Sequence, residues 1–316
     1  MVPDEPDRRT VTRNELFSLL GNETRMDALR ALWRALDVPT YMKDGQKPVP
    51  FTELRTRCGA ADSGNFNYHL RQLEGTLLER TDDGYALSPL GFHVLQALET
   101  QATGTEIELG PATLDDPCPF CGGELVASYE REILAVECRD CPGLGGGDIN
   151  LVRCPPVPGR ELEELLEIGV SRLLTQLSTV ARGRCPACDG PMSSTTTHCS
   201  EHVPGGDCPA CSVRFATRTE STCDACGAGG VGPLSEQAFV EPATVAFFER
   251  HGLGPHSASP WRYRLAFLSG LTETVRSTDP LTAAFAFEPE AAGGTARHEV
   301  VLRAADDGID VVGRGE

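Results

Sequence analysis

Residues 63–91 read SGNFNYHLRQLEGTLLERTDDGYALSPLG, and they set the architecture of the N-terminal part of the chain. In SGNFNYHLRQLEG the apolar residues Phe66, Leu70 and Leu73 recur at helical spacing. Asp62 or Ser63 can cap the first turn, and Gly75 ends the run. On a helical wheel Asn65, Tyr68, Arg71 and Gln72 fall on the opposite side, with Asn67 at its edge. LLERTDDGYALS then holds two β-prone runs around Asp82-Asp83-Gly84, a hairpin-turn signal. Ser88 and Pro89 open another helix, with Leu90, Val94, Leu95 and Leu98 as its apolar stripe. Upstream, Leu16, Phe17, Leu19 and Leu20 predict a first helix that stops at Gly21. Asn22 can cap a second, striped by Met26, Leu29, Leu32, Trp33 and Leu36. Three prolines interrupt residues 38–50, and a third short helix follows in FTELRTRC, ending at Gly59. Residues 1–10 read as a disordered tail.

The order helix, helix, helix, turn, helix, hairpin, helix is that of a winged helix-turn-helix. On LGNETRMDALRAL, FTELRTRCGAADSGNFNYHLRQLEG and LLERTDDGYALSPLG, residues 11–101 resemble the ArsR-type winged-helix transcription regulators, in the acidic form seen in halophilic archaea. The resemblance implies that the helix at residues 63–74 enters the DNA major groove and that the protein is a homodimer. A helix fits that groove, and short polar side chains can reach base edges from it. Asn65, Asn67 and Gln72 can pair with adenine edges, and Arg71 can read guanine or grip phosphate. Tyr68 and His69 can reach phosphate or stack, Ser63 lies at the helix start, and Arg80 in the wing can contact the backbone. ArsR-type metal sensing through paired cysteines of the third helix is not supported, because Cys58 stands there alone and reads as a small apolar filler.

The 316 residues carry 28 Lys plus Arg against 46 Asp plus Glu, a net charge of −18. Lys43 and Lys47 are the only lysines. Such an acidic, lysine-poor chain resembles the cytoplasmic proteins of salt-in halophiles, whose carboxylates keep them hydrated where molar salt shortens the Debye length to a few ångström. Residues 12–101 hold 10 basic and 12 acidic residues, a net of −2; residues 102–316 hold 16 and 31, a net of −15. The near-neutral stretch is therefore the one suited to a polyanion partner. Hydrophobic content of 40% permits real cores. No apolar run approaches the ~20 residues of a membrane span, and no basic-then-apolar leader opens the chain. A cytoplasmic protein with no membrane partner is expected.

Thirteen cysteines in such a chain point to thiolate ligands rather than disulfides. Cys118-Pro-Phe-Cys121 and Cys138-Arg-Asp-Cys141 are separated by 16 residues, and the intervening GELVASYEREILAVE alternates like a hairpin. Two such knuckles joined by a hairpin make a zinc ribbon, since Zn(II) takes four tetrahedral ligands and CxxC converges two thiolates from one turn. A second region holds Cys185 and Cys188, then Cys199 and His202, then Cys208 and Cys211, then Cys223 and Cys226. These eight ligands suit two ions. Sequential pairing joins the first two knuckles on one ion and the last two on the other, and it is favoured because each half contains a short β-like run. Cross-bracing, first with third and second with fourth, is the alternative, and His198 can replace Cys199 or His202. About three structural zinc ions follow from the ligand count. Four protein ligands leave no open position for water, so metal-assisted hydrolysis is not supported. Cys154 has no assigned role.

The expected fold class is multidomain α+β: a winged helix-turn-helix at 11–101, a zinc ribbon at 115–156, a connecting helix at 157–183, a double zinc-binding module at 184–230 and a small α+β domain at 231–316. Leu162, Leu165, Leu166, Val170, Leu173, Leu174 and Leu177 stripe the connecting helix. In the last segment two capped helices, at Pro242–Gly252 and Pro260–Gly270, precede the β-prone runs TETVRS, LTAAFAFEP, HEVVLRA and GIDVVGR, the last two joined through Asp306-Asp307-Gly308. His251, His256 and His298 are isolated, GLGGG lacks a strand–helix context, and no nucleophile motif appears, so no enzyme is expected. The function indicated is sequence-specific binding of double-stranded DNA in transcription regulation, with the zinc-bearing half contacting the transcription machinery or an effector. The alternative is a zinc-ribbon scaffold whose winged helix docks protein or RNA.

Overall fold

A computed structural model describes residues 11–36, 47–101, 108–131, 133–141, 152–153, 160–204, 208–289, 296–305 and 308–315. The N-terminal tail, Lys43, the glycine-rich stretch 142–148, Cys154 and the Asp306-Asp307 turn lie outside these residues. The chain divides into two compact units, Met1–Gly104 and Thr105–Glu316.

The first unit runs α1 (Arg13–Leu20), α2 (Glu23–Arg34), α3 (Phe51–Arg57), α4 (Ser63–Leu73), β1 (Leu78–Thr81), β2 (Gly84–Leu87) and α5 (Pro89–Gln101). Side-chain caps set the helix starts. Asn22 accepts from the Arg25 N–H, and Asp62 accepts from the N–H groups of Gly64 and Asn65. Thr12 and Glu15 form a reciprocal capping box at α1. The Ser88 hydroxyl accepts from the Gly91 N–H and donates to the Thr76 carbonyl, so it caps α5 and ties it to the chain before β1. The hairpin pairs Leu78 with Leu87 through Thr81 with Gly84, which leaves Asp82 and Asp83 as its two-residue turn. Gly84 is required there: φ is +142°, and a Cβ would stand 2.3 Å from the Val49 carbonyl oxygen. Val49 also bridges Tyr85 and adds a third strand segment to the hairpin. Leu29 and Leu32 of α2, Leu54 of α3 and Phe66, Leu70 and Leu73 of α4 are fully buried in one core with Leu78 and Leu87. Each contributes roughly 1.5–3 kcal/mol of burial, and together they fix which face of α4 is left outside.

The described residues of the second unit form three sheets. β3 (Leu109–Pro117), β4 (Glu124–Glu130), β5 (Ile133–Cys138) and β6 (Val152–Arg153) form one in chain order. The helix α6 (Leu162–Val180) follows, then a three-stranded sheet of β7 (Met192–His198), β8 (Thr217–Cys223) and β9 (Gly229–Gly232). Three helices come next, α7 (Ser235–Phe239), α8 (Pro242–Arg250) and α9 (Pro260–Ser269), where the sequence indicated two. A final meander joins β10 (Leu271–Thr278), β11 (Leu281–Phe287), β12 (His298–Ala305) and β13 (Gly308–Gly315). One hydrophobic cluster takes Leu125 and Val136 from the first sheet and Leu165, Leu166 and Val170 from α6. It also takes Phe239, Phe248 and Phe267 from the helices and Phe285, Phe287 and Val300 from the last sheet. Segments that read as separate along the sequence thus share an interior. Within it the Arg264 guanidinium, fully buried, bonds both Glu236 carboxylate oxygens at 2.5 and 3.1 Å and lies over the Phe239 ring.

Candidate metal centres and candidate nucleic-acid interface

Three groups of four ligands converge, each with its ligand atoms within 4.8 Å of one another. The first is Cys118, Cys121, Cys138 and Cys141, brought together at the end of the β4–β5 hairpin. Its sulfurs lie 3.8 Å apart for Cys118 and Cys141 and 3.5 Å for Cys121 and Cys138. The eight ligands of residues 185–226 pair in neither of the two ways considered from sequence. Cys185 and Cys188 join Cys223 and Cys226, while Cys199 and His202 join Cys208 and Cys211. The correction follows from strand pairing. β7 and β8 are antiparallel partners of each other, with Met192 opposite Cys223 and His198 opposite Thr217. The outermost knuckles therefore meet at one end of the hairpin and the inner two at the other. The two β-like runs, read from sequence as one in each half of the module, are the two strands of one hairpin.

In the outer cluster Cys185 and Cys226 are 3.7 Å apart and Cys188 and Cys223 3.6 Å. In the inner one Cys211 Sγ is 3.5 Å from His202 Nδ1, and His202 Nε2 is 3.0 Å from the Arg214 carbonyl oxygen. His202, and not His198, is the nitrogen donor that joins the three thiols of this cluster. A tetrahedral ion with metal–sulfur bonds near 2.3 Å places sulfurs about 3.8 Å apart, so all three donor sets have the spacing of a closed four-coordinate site.

The local backbone explains how CxxC converges. In four knuckles the residue after the second cysteine has positive φ: Gly122, Asp189, Ser212 and Gly227, at 74°, 56°, 57° and 75°. That turn returns the N–H of the same residue to the carbonyl of the first cysteine, at 2.7–3.0 Å. It also lets backbone N–H groups face sulfur, as Gly123 does to Cys121, Ala187 to Cys185 and Ala225 to Cys223, each at 3.4 Å. These positions were not singled out from sequence, although glycine at 122 and 227 was a usable signal. The N–H groups favour thiolate. The Val203 N–H pulls Cys208 down to about 6, and the Cys226 N–H pulls Cys223 down to about 7. Burial pushes Cys211 up to about 11, helped by the neighbouring thiols. Cys188 feels the Gly190 N–H, which lowers it, but the thiols of Cys226 and Cys223 push it up to about 12.

In the first unit α4 leaves a polar face outside. Asn65, Arg71 and Gln72 are exposed, and Tyr68 is 57% exposed. Their side chains make no hydrogen bond or ion pair with another described residue. Asn67 is half-buried, as is His69, whose ring stands edge-on to Tyr68 and whose Nδ1 has no hydrogen-bond partner among the described residues. Ser63 and Asn67 line an open cleft of about 610 Å³ with Arg80, Asp82 and Asp83 of the hairpin. Arg80 is exposed on β1, lies 3.9 Å from Glu74 and sits 5.9 Å from the Tyr85 ring centroid. Cys58 is partly buried among the core residues, and burial pushes its thiol up to about 11, as an inert filler requires. No helix of the described residues is long and apolar enough to cross a membrane.

Two family models match the chain. Residues 13–98 match one described as Domain of unknown function (DUF7347), and residues 115–304 match one described as Domain of unknown function (DUF7351). A comparison with curated proteins finds no match. The second match spans more than half of the chain and takes in all three ligand clusters, so the chain belongs to the DUF7351 family.

Proposed function

We propose that this protein is a sequence-specific, double-stranded-DNA-binding transcription regulator, with its first unit a winged helix-turn-helix and its second a module held by three structural zinc ions. The observation that carries the DNA reading is the exposed row Asn65, Tyr68, Arg71 and Gln72 on α4, whose polar groups are not engaged by any other described residue. Two amides, a phenol and a guanidinium on one helical ridge offer the donors and acceptors that base edges and phosphates take. The β1–β2 hairpin beside α4 is the wing of this reading, and Arg80 is its backbone contact. Three clusters of eleven thiols and one imidazole support zinc, because soft sulfur donors at tetrahedral spacing suit it and leave no open coordination position. The protein acts as a homodimer in the cytoplasm, and its second unit engages the transcription machinery or an effector.

The test is duplex retention by the metal-loaded protein at molar KCl, using fragments recovered by genome-wide mapping in the native host. Arg71→Ala with Tyr68→Ala abolishes retention under this reading, and elemental analysis gives about three zinc per chain. Unchanged retention by the double variant would remove α4 from the interface. A second reading, docking of a protein partner on the same face, is favoured by the exposed acids Asp82 and Asp83 at the hairpin tip, which repel phosphate. It is the outcome indicated if no duplex from the host chromosome is retained.

A further inference from the structure

Arg214 stands between two of the ligand clusters, and each of its ends is engaged by a different one. Its carbonyl oxygen lies 3.0 Å from Nε2 of His202, the imidazole of the inner hairpin cluster. Its guanidinium carbon lies 3.9 Å from the centroid of the Phe120 ring, and Phe120 sits between Cys118 and Cys121 of the first cluster. Arg214 Nε is buried without a hydrogen-bond partner among the described residues, so the aromatic face is the polar partner it has been given. The residues that follow are fastened as well. The Ala216 carbonyl accepts from the Cys199 N–H at 2.9 Å. The N–H groups of Ala216 and Thr217 and the Thr217 hydroxyl donate to the Glu273 carboxylate of β10. Residues 214–217 thus tie the inner cluster to the first cluster and to the last sheet. The outer cluster lies at the opposite end of the β7–β8 ladder.

We propose that occupancy of the inner cluster and of the first cluster is linked through Arg214, so that each holds its metal more tightly when the other is filled. The proposal rests on the metal-centre reading above. With Nδ1 of His202 engaged as a ligand, its proton stands on Nε2 and is donated to the Arg214 carbonyl, which fixes the backbone that aims the guanidinium. The knuckle Cys118-Pro-Phe-Cys121, closed on its own ion, holds the Phe120 ring where the guanidinium can stack on it. Emptying either cluster frees one side of the stack. Linkage is reciprocal, so both sites gain by the same factor. A partly desolvated cation–π contact makes that factor on the order of threefold to thirtyfold.

The full-length, zinc-loaded chain is titrated with a chelator, pulsed with iodoacetamide and mapped by mass spectrometry, which reads each cysteine separately. In the parent, Cys118–Cys141 and Cys199–Cys211 become reactive together. In Arg214→Met, which keeps the apolar stem and removes the charge, both groups become reactive at chelator concentrations lower by the factor given, while Cys185, Cys188, Cys223 and Cys226 do not move. Phe120→Leu reads the same contact from its other side, and the double variant loses no more than either single one. Unmoved protection of Cys118–Cys141 in both single variants would overturn the linkage while leaving the metal centres standing. A parent chain that binds fewer than three zinc ions overturns the metal-centre reading and the linkage with it.

Discussion

At the scale of single residues, a costly position in the second unit is Arg264. A buried guanidinium held by both oxygens of Glu236 and covered by Phe239 adds little net stability while its partner is present, but removing one member strands the other charge in the core. Arg264→Leu should lower the stability of the second unit by about 3–5 kcal/mol, measured as the urea midpoint of the metal-loaded chain. Replacing Arg264 and Glu236 together by apolar residues should restore much of that loss. A single substitution costing under ~1 kcal/mol, the range of an exposed pair, would show that the pair is not desolvated. Sequence hid this residue. Nothing in WRYRLAFLS marks Arg264 rather than Arg262 for burial, because its burial depends on Glu236, which is 28 positions away and on another helix.

The knuckles are best judged at the scale of elements. At neutral pH Cys208, near 6, is largely ionised and Cys223, near 7, about half so, whereas Cys211, near 11, and Cys188, near 12, keep their protons. Metal takes thiolate, so loading the apo chain at pH 7 must displace the protons of Cys188 and Cys211, and affinity must rise with pH. Indicator-dye measurement in weak buffer should find net proton release on zinc addition, larger at pH 6 than at pH 8, as Cys208 and Cys223 then also carry protons to lose. Absence of proton release would mean that the thiols are not the ligands. Local signals made most elements legible. Asn22, Asp62 and Ser88 cap the helices expected of them, and the four β-prone runs at the C-terminus are the strands β10–β13. The same signals could not give the pairing of the eight ligands. Alternation marks a strand but does not name its partner, and here the partner strand lies across an insertion that itself carries ligands. The five-residue helix α7 was missed because it spans little more than one turn, too short for a periodicity.

For the whole molecule, charge is the governing quantity. With a net charge of −18, most of it in the second unit, carboxylate repulsion opposes the compact state at low ionic strength. Raising KCl from roughly 0.1 M to 1 M shortens the Debye length from about 10 Å to about 3 Å. The melting temperature of the metal-loaded protein should therefore climb over that range, and a flat or falling curve would contradict a repulsion-limited fold. The same salt weakens phosphate attraction, so under the DNA-binding proposal the first unit, whose residues 12–101 carry a net charge of −2, would have to hold duplex through base-edge contacts rather than through counterion release. The shared interior of the second unit was out of reach of sequence for a related reason. Amphipathic stripes show that α6 has a buried side, but the strands and helices that fill it come from both flanks of the chain.

The nesting of the hairpin ligands bears on how the module assembles. Five residues separate His202 from Cys208, whereas 34 separate Cys188 from Cys223. Loop-closure entropy favours the short circuit, and once it is shut the seven paired residues of β7 and β8 deliver the distant knuckles to each other. Filling should run as a zipper from the tip outward. Stopped-flow cobalt uptake should show the nitrogen-containing chromophore before the second all-sulfur one of the hairpin, and Cys199→Ser with Cys208→Ser should slow the outer knuckles although they keep every ligand of their own.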